Sequence, residues 1–106
     1  MKIMDQRASE RRPIAIEVDI FQRGAPVRHG RTRDVGLGGT FVEGPGLPLR
    51  AEVEIAFRIP GAHERRLRAR VVRVEDAGAG LAFHDLDLGG VRALQDVIAL
   101  ARYGAA

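Results

Sequence analysis

The chain has 106 residues, 17 basic and 14 acidic, a formal net charge of +3 and a hydrophobic fraction of 45%, which bounds it to one domain with one modest core. It contains no cysteine, which excludes a disulfide framework and a thiolate metal site. No stretch approaches the roughly 20 apolar residues of a membrane helix, and Met1-Lys2-Ile3-Met4-Asp5 has no apolar signal core, so the expectation is a cytoplasmic protein without membrane insertion.

The charge is uneven. Residues 1–33 carry eight basic and four acidic side chains, and residues 34–106 carry nine and ten. Lys2 is the single lysine. The rest are arginines, whose planar fork grips phosphate in bidentate fashion and stacks on rings.

Residues 1–12 are polar and charged, without periodicity, and read as a flexible basic arm. The remainder, 13–104, reads as one folded domain. Pro13 opens a strand in which Ile14, Ile16, Val18 and Ile20 alternate with Ala15, Glu17 and Asp19. A turn at Gln22–Pro26 leads into a polar, arginine-rich strand from Val27 to Val35. Thr40-Phe41-Val42 is a short third strand. After the breaker-rich Gly44–Pro48 loop, Val53, Ile55, Phe57 and Ile59 alternate inward along a fourth.

The fifth and longest strand runs from Arg65 to Glu75. Leu67, Ala69 and Val71 share a face, and Val72 and Val74 take the opposite parity, a phase switch that predicts a bulge or a sharp bend near Val71-Val72. Ala77-Gly78-Ala79-Gly80 reads as a turn and Leu81-Ala82-Phe83 as the last strand. From Asp87 the period becomes helical: Leu88, Val91, Leu94, Val97, Ile98 and Ala101 recur at three and four. Asp85 or Asp87 can cap this helix and Gly104 can end it. Six antiparallel strands need closure to protect their edges. The predicted fold is a six-stranded antiparallel β-barrel with a C-terminal α-helix.

Two clusters carry candidate chemistry. Asp34-Val35-Gly36-Leu37-Gly38-Gly39 joins two strand-like runs through three glycines, a pattern that suits a bulged hairpin turn or a loop approached closely by a ligand. Upstream lies Arg7-Ala8-Ser9-Glu10-Arg11-Arg12. Such a run serves as a solvated basic arm or as an anion grip, since a spacing of four lets two guanidinium groups converge on one anion. Asp34 fits an Asx-type turn or a carboxylate that accepts hydrogen bonds from a ligand.

Together the clusters resemble the PilZ domain, a small bacterial β-barrel. The family pattern is RxxxR before the first strand and [D/N]xSxxG near the end of the second. Arg7 and Arg11 match the first, and Asp34 and Gly39 match the second, with Gly36 where the family carries serine. The resemblance spans about Arg7 to Arg102. It implies a receptor for cyclic di-GMP that signals through a protein partner, with no metal. Arg7, Arg11 and the adjacent Arg12 would meet phosphate and guanine, and Asp34 would accept from the guanine N1–H and N2–H₂ edge. Gly36 and Gly39 would shape the loop.

His29, His63 and His84 lie in different elements without metal-ligand spacing. No nucleophilic triad, P-loop or metalloprotease motif is present, so the chain reads as non-enzymatic. Two alternatives stay open. One is a degenerate PilZ-like adaptor that does not bind nucleotide, which Gly36 supports. The other is a small basic nucleic-acid-binding barrel, which the arm supports. Against the latter, the four phenylalanines and one tyrosine fall mostly at inward strand positions or at the chain end, leaving no stacking platform.

Overall fold

The computed structural model describes residues 11–44, 46–61 and 64–104, of which 100–104 by backbone alone. The arm at 1–10, including Arg7, lies outside the described residues, as does His63. Among the described residues seven strands precede one helix: β1 (Arg12–Pro13), β2 (Glu17–Phe21), β3 (Arg28–Val35), β4 (Gly39–Glu43), β5 (Glu52–Phe57), β6 (Arg66–Val74), β7 (Gly78–Phe83) and α1 (Leu88–Gly104). The strand order is β1-β3-β2-β5-β6-β7-β4, and β4 returns to pair with β3. All pairings are antiparallel. Since β1 and β2 both lie along β3, they form one interrupted wall element, and six walls close the barrel.

That interruption has a definite cause. Ile14, Ala15 and Ile16 leave the ladder, and the buried Thr32 repairs the gap. Its hydroxyl donates to the Ile14 carbonyl and accepts from the Ile16 N–H (2.9 Å). The backbone follows suit, with Ile14 N–H donating to the Arg33 carbonyl at 3.2 Å and Thr32 N–H to the Ile16 carbonyl at 2.9 Å. A buried hydroxyl must find partners, and here one hydroxyl joins the entry to the first wall to the third strand.

The interior is filled by the alternating residues: Val18 and Ile20, Val35, Val42, Val53 and Ile55, Leu67, Ala69 and Val71, with Leu81. Helix α1 adds Leu94 and Val97 to the same cluster, so the helix caps the core. Asp87 Oδ1 accepts the Gly90 N–H at 2.7 Å, making Asp87 the N-cap. Asp85 instead takes a left-handed conformation in the approach, with φ of 56°.

The predicted bulge in β6 is present: Val71 pairs with Leu81 and Arg73 with Gly80, leaving Val72 extra. Val72 and Val74 are about half exposed, at 52% and 49%, because this end of β6 runs past the start of β5. The expected turn at Ala77–Gly80 is shorter than the composition indicates, since β7 already starts at Gly78. Gly78 is a packing requirement there and not a breaker. A Cβ on it would lie 2.1 Å from the Val42 carbonyl oxygen, so only glycine lets β7 lie against β4.

The aromatic expectation needs a larger correction. Phe57 and Phe83 do meet, with ring centroids 6.5 Å apart. Phe41, however, is on the outer wall. Its neighbour Val42 takes the inward position, and the fully buried Phe41 lies under the guanidinium groups of two arginines. Phe21 likewise carries a guanidinium, that of Arg66, 3.7 Å above its ring.

Candidate functional site

The outer wall where β3, β4 and β7 meet brings the two sequence clusters together. It begins with a second bulge. Thr32 pairs with Val42 and Asp34 with Phe41, so Arg33 is the extra residue. Thr32 and Val35 are both buried, and Arg33 and Asp34 between them both face outward. A strand without a bulge would send one of the two into the core. The count of residues, more than their identity, aims both charged groups at the same surface.

Asp34 is held on several sides. Its Oδ1 accepts the Phe41 N–H at 3.2 Å, and its carbonyl accepts the Thr40 hydroxyl at 2.6 Å. The same Oδ1 lies 3.3 Å from Arg11 Nη1, across 23 residues of sequence. Arg33 Nε stands 3.9 Å from Oδ2. The Asx-type reading and the ligand reading therefore share one carboxylate: Oδ1 takes both the bulge N–H and Arg11, and Oδ2 faces Arg33. The Arg11–Asp34 pair is itself exposed, with side chains 35% and 23% accessible. Exposed pairs of this kind contribute only about 0.2–1 kcal/mol, so a ligand can redirect either partner at small cost.

The guanidinium of Arg33 stacks on Phe41, 3.8 Å from the ring centroid, and that of Arg73 approaches the same ring at 5.7 Å. Phe41 lies opposite Gly80, whose lack of a side chain leaves space for ring and guanidinium: a Cβ there would sit 3.5 Å from Arg73 Cβ. The result is an arginine–aromatic–arginine layer beside Asp34. Sequence reasoning did not single out Arg33, Phe41 or Arg73 as site residues. For Arg73 no local signal exists, because its register against β7 shifts at the Val72 bulge. For Phe41 the sign was its place as the first apolar residue after the glycine turn.

Gly39 is the close-approach glycine of the loop. A Cβ on it would stand 2.1 Å from the Leu81 carbonyl oxygen and 2.9 Å from Arg11 Nη2. It therefore clears the path for Arg11 as well as for β7. Gly36 closes the turn by donating its N–H to the Gly39 carbonyl at 2.9 Å. The left-handed glycines among the described residues are Gly24, Gly44 and Gly61, so Gly36 keeps a backbone that other residues share. Arg12 extends into β1, opposite Val35. Of the six predicted site residues, Arg11 meets Asp34 and lies beside Gly39, Gly36 and Arg12 flank them, and Arg7 lies outside the described residues.

Among the described residues no cluster of three or more His, Asp or Glu side chains is arranged to hold a metal. His29 binds the Asp19 carboxylate instead, and His84 lies 2.7 Å from Glu52 and 3.1 Å from Asp85. No described helix is long and apolar enough to cross a membrane.

The architecture has solved counterparts. The PilZ domain of CeSA from a cellulose-synthesizing bacterium superposes with a TM-score of 0.70 at 24% identity, covering 92% of this chain and all of that one. The Bacillus subtilis inhibitor of motility, MotI/DgrA, also gives 0.70, at 18% identity, over 98% of this chain and 55% of its own. At these identities the likeness establishes the fold. A search of curated protein sequences gives no match. The family model for the PilZ domain, in contrast, matches residues 5–100, nearly the full length and both motifs, and on that ground the chain belongs to the PilZ domain family.

Proposed function

We propose that this chain is a cyclic di-GMP receptor that passes the signal to a protein partner, and that it is not an enzyme. The observation that carries the reading is the meeting of Arg11 and Asp34 at 3.3 Å beside Gly39. Two motifs separated by a whole hairpin of sequence converge on one patch of outer wall, and a structural turn alone has no need of Arg11.

The chemistry follows from the ligand. Cyclic di-GMP has two phosphates and two guanines. Arg11 and Arg12, with Arg7 from the arm, supply guanidinium forks for phosphate and for guanine O6 and N7. Asp34 offers its free carboxylate lone pairs to the N1–H and N2–H₂ edge. Arg33, half exposed above Phe41, presents a flat cation for a base to stack on.

A nucleic-acid role is less well supported. The arginines along β6 are matched one by one: Arg66 with Glu54, Arg68 with Asp85, Arg70 with Glu52 and Arg73 with Glu75. A wall neutralised in this way lacks the unbroken positive stripe that a polyanion requires. The adaptor reading rests on Gly36, which lacks the serine hydroxyl. One lost hydrogen bond costs about 0.5–1.5 kcal/mol, roughly a threefold to tenfold loss in affinity, which weakens a site without removing it.

Calorimetry of the purified protein tests the proposal. Cyclic di-GMP should bind in the nanomolar to micromolar range, with GTP and GMP much weaker. No heat at ~100 μM nucleotide, where even micromolar affinity would register, would favour the adaptor.

A further inference from the structure

Helix α1 has two faces, and the barrel uses only one. Leu94 and Val97 are buried against the core. Away from the core, Leu88, Arg92, Gln95, Asp96 and Ala99 form one exposed stripe at three- and four-residue spacing, with Arg92 and Asp96 at the rim of the groove between α1 and the barrel. Leu88 is 75% exposed, the most exposed large apolar side chain among the described residues. Two of its neighbours on the stripe are charged. Arg65, Arg66, Arg68, Arg70 and Arg73 on the barrel each have a carboxylate within 4.0 Å. The side chains of Arg92 and Asp96 make no ion pair or hydrogen bond with any described residue. They stand one helical turn apart with the cation on the N-terminal side, the order that pairs less well within a helix.

We propose that this stripe is a homodimer interface, in which α1 packs antiparallel against α1 of a second copy about a two-fold axis near residue 94. The charges argue for a second copy over an unrelated partner. In an isologous contact a residue i that meets j is matched by j meeting i. An axis midway between Arg92 and Asp96 sets Arg92 of each chain against Asp96 of the other, giving two reciprocal pairs from two residues that are unpaired in one chain. The same axis brings the two Gln95 amides close to each other. It also carries Leu88 to the Ala99 end of the facing helix, where the small side chain leaves room for the leucine and its apolar surface is covered. The stripe is thus complementary to itself in charge and in size. The contact is independent of nucleotide, because it uses none of the residues of the outer-wall site.

The test is a charge-swap series measured by sedimentation equilibrium on the full chain from ~1 to ~500 μM, a span that brackets a micromolar association. The wild type should rise toward twice its 11.5 kDa mass. Arg92→Asp alone and Asp96→Arg alone each face like charge with like, and each should weaken association at least tenfold. Arg92→Asp combined with Asp96→Arg restores both pairs in reverse and should return affinity to within about threefold of wild type. Leu88→Ser should weaken association independently of charge. Circular dichroism should be unchanged throughout, and melting should be unchanged in dilute solution where every variant is monomeric, because these side chains are exposed in the monomer. A wild type that stays monomeric at every concentration overturns the proposal and leaves the face to a different protein. A dimer indifferent to the single swaps, or a double swap as weak as the singles, overturns it equally.

Discussion

Replacing Asp34 by alanine and by asparagine separates its two duties. The carboxylate both completes the β3 bulge, by accepting the Phe41 N–H at 3.2 Å, and faces Arg11 at 3.3 Å. Alanine removes the acceptor and strands a partly buried N–H, a cost of about 1–3 kcal/mol. For a chain of this size that corresponds to a fall in Tm of roughly 5–20 °C. Asparagine keeps an oxygen for the Phe41 N–H and loses only the exposed ion pair, worth about 0.2–1 kcal/mol. It also puts an amide donor where guanine presents its own donors. Thermal melting and nucleotide calorimetry on the three proteins should therefore split: both variants lose cyclic di-GMP binding, and only Asp34→Ala loses much stability. Equal melting of the two variants would refute the bulge argument. Full binding by Asp34→Asn would refute the guanine-edge role.

Four further outcomes are expected. Arg11→Ala should weaken cyclic di-GMP binding in calorimetry by about 2–5 kcal/mol, far more than Arg28→Ala or Arg65→Ala, whose attraction is distant and screened; equal losses would mean non-specific anion binding. Gly36→Ser, at a position with ordinary backbone, should keep its Tm and tighten the nucleotide by about threefold to tenfold, whereas unchanged affinity with a lower Tm would show a loop rebuilt for another purpose. Residues 1–12 should gain amide-exchange protection when nucleotide bridges the arm to the Asp34–Gly39 loop; binding without protection would exclude the arm as the switch. The last concerns pH. The Arg58 fork on Asp19, helped by His29, holds that carboxyl below its ordinary value of 3.8. A depressed pKa contributes stability that is complete above the unfolded value and is lost as pH falls through the folded one. The Tm of the wild type should therefore drop more steeply below pH ~4 than that of Asp19→Asn, and parallel curves would sink the argument.

The barrel was legible because its inward residues alternate. Val53, Ile55 and Phe57, then Leu67, Ala69 and Val71, announce both walls and even the Val72 bulge. Period two is a local property, and it survives in sequence. What failed to show depends on which strand lies beside which. Gly78 and Gly80 carry the composition of a turn, and only the register against Glu43 and Phe41 makes them strand residues. Phe41 follows the ordinary expectation that an aromatic faces inward, but the Arg33 bulge and two guanidinium groups give it an outer site. The motif residues Arg11, Asp34 and Gly39 were found through resemblance. Arg73 escaped because its place at the site depends on a bulge and a neighbour seven residues downstream.

The extra residue at Arg33 has a consequence for how this strand can change over generations. On either side of it the inward side chains Thr32 and Val35 keep their places, so substitutions within the core pass no parity constraint to the outer wall. Length is another matter. Losing one residue between Thr32 and Val35 would restore strict alternation with one outward position where there are now two, so that Arg33 and Asp34 could no longer share the wall, and gaining one would restore it with the middle residue of three facing the interior, where a charge is very costly. The lineage of this wall should therefore tolerate replacement far better than insertion or deletion, and the spacing from Thr32 to Gly39 should be its slowest-changing feature.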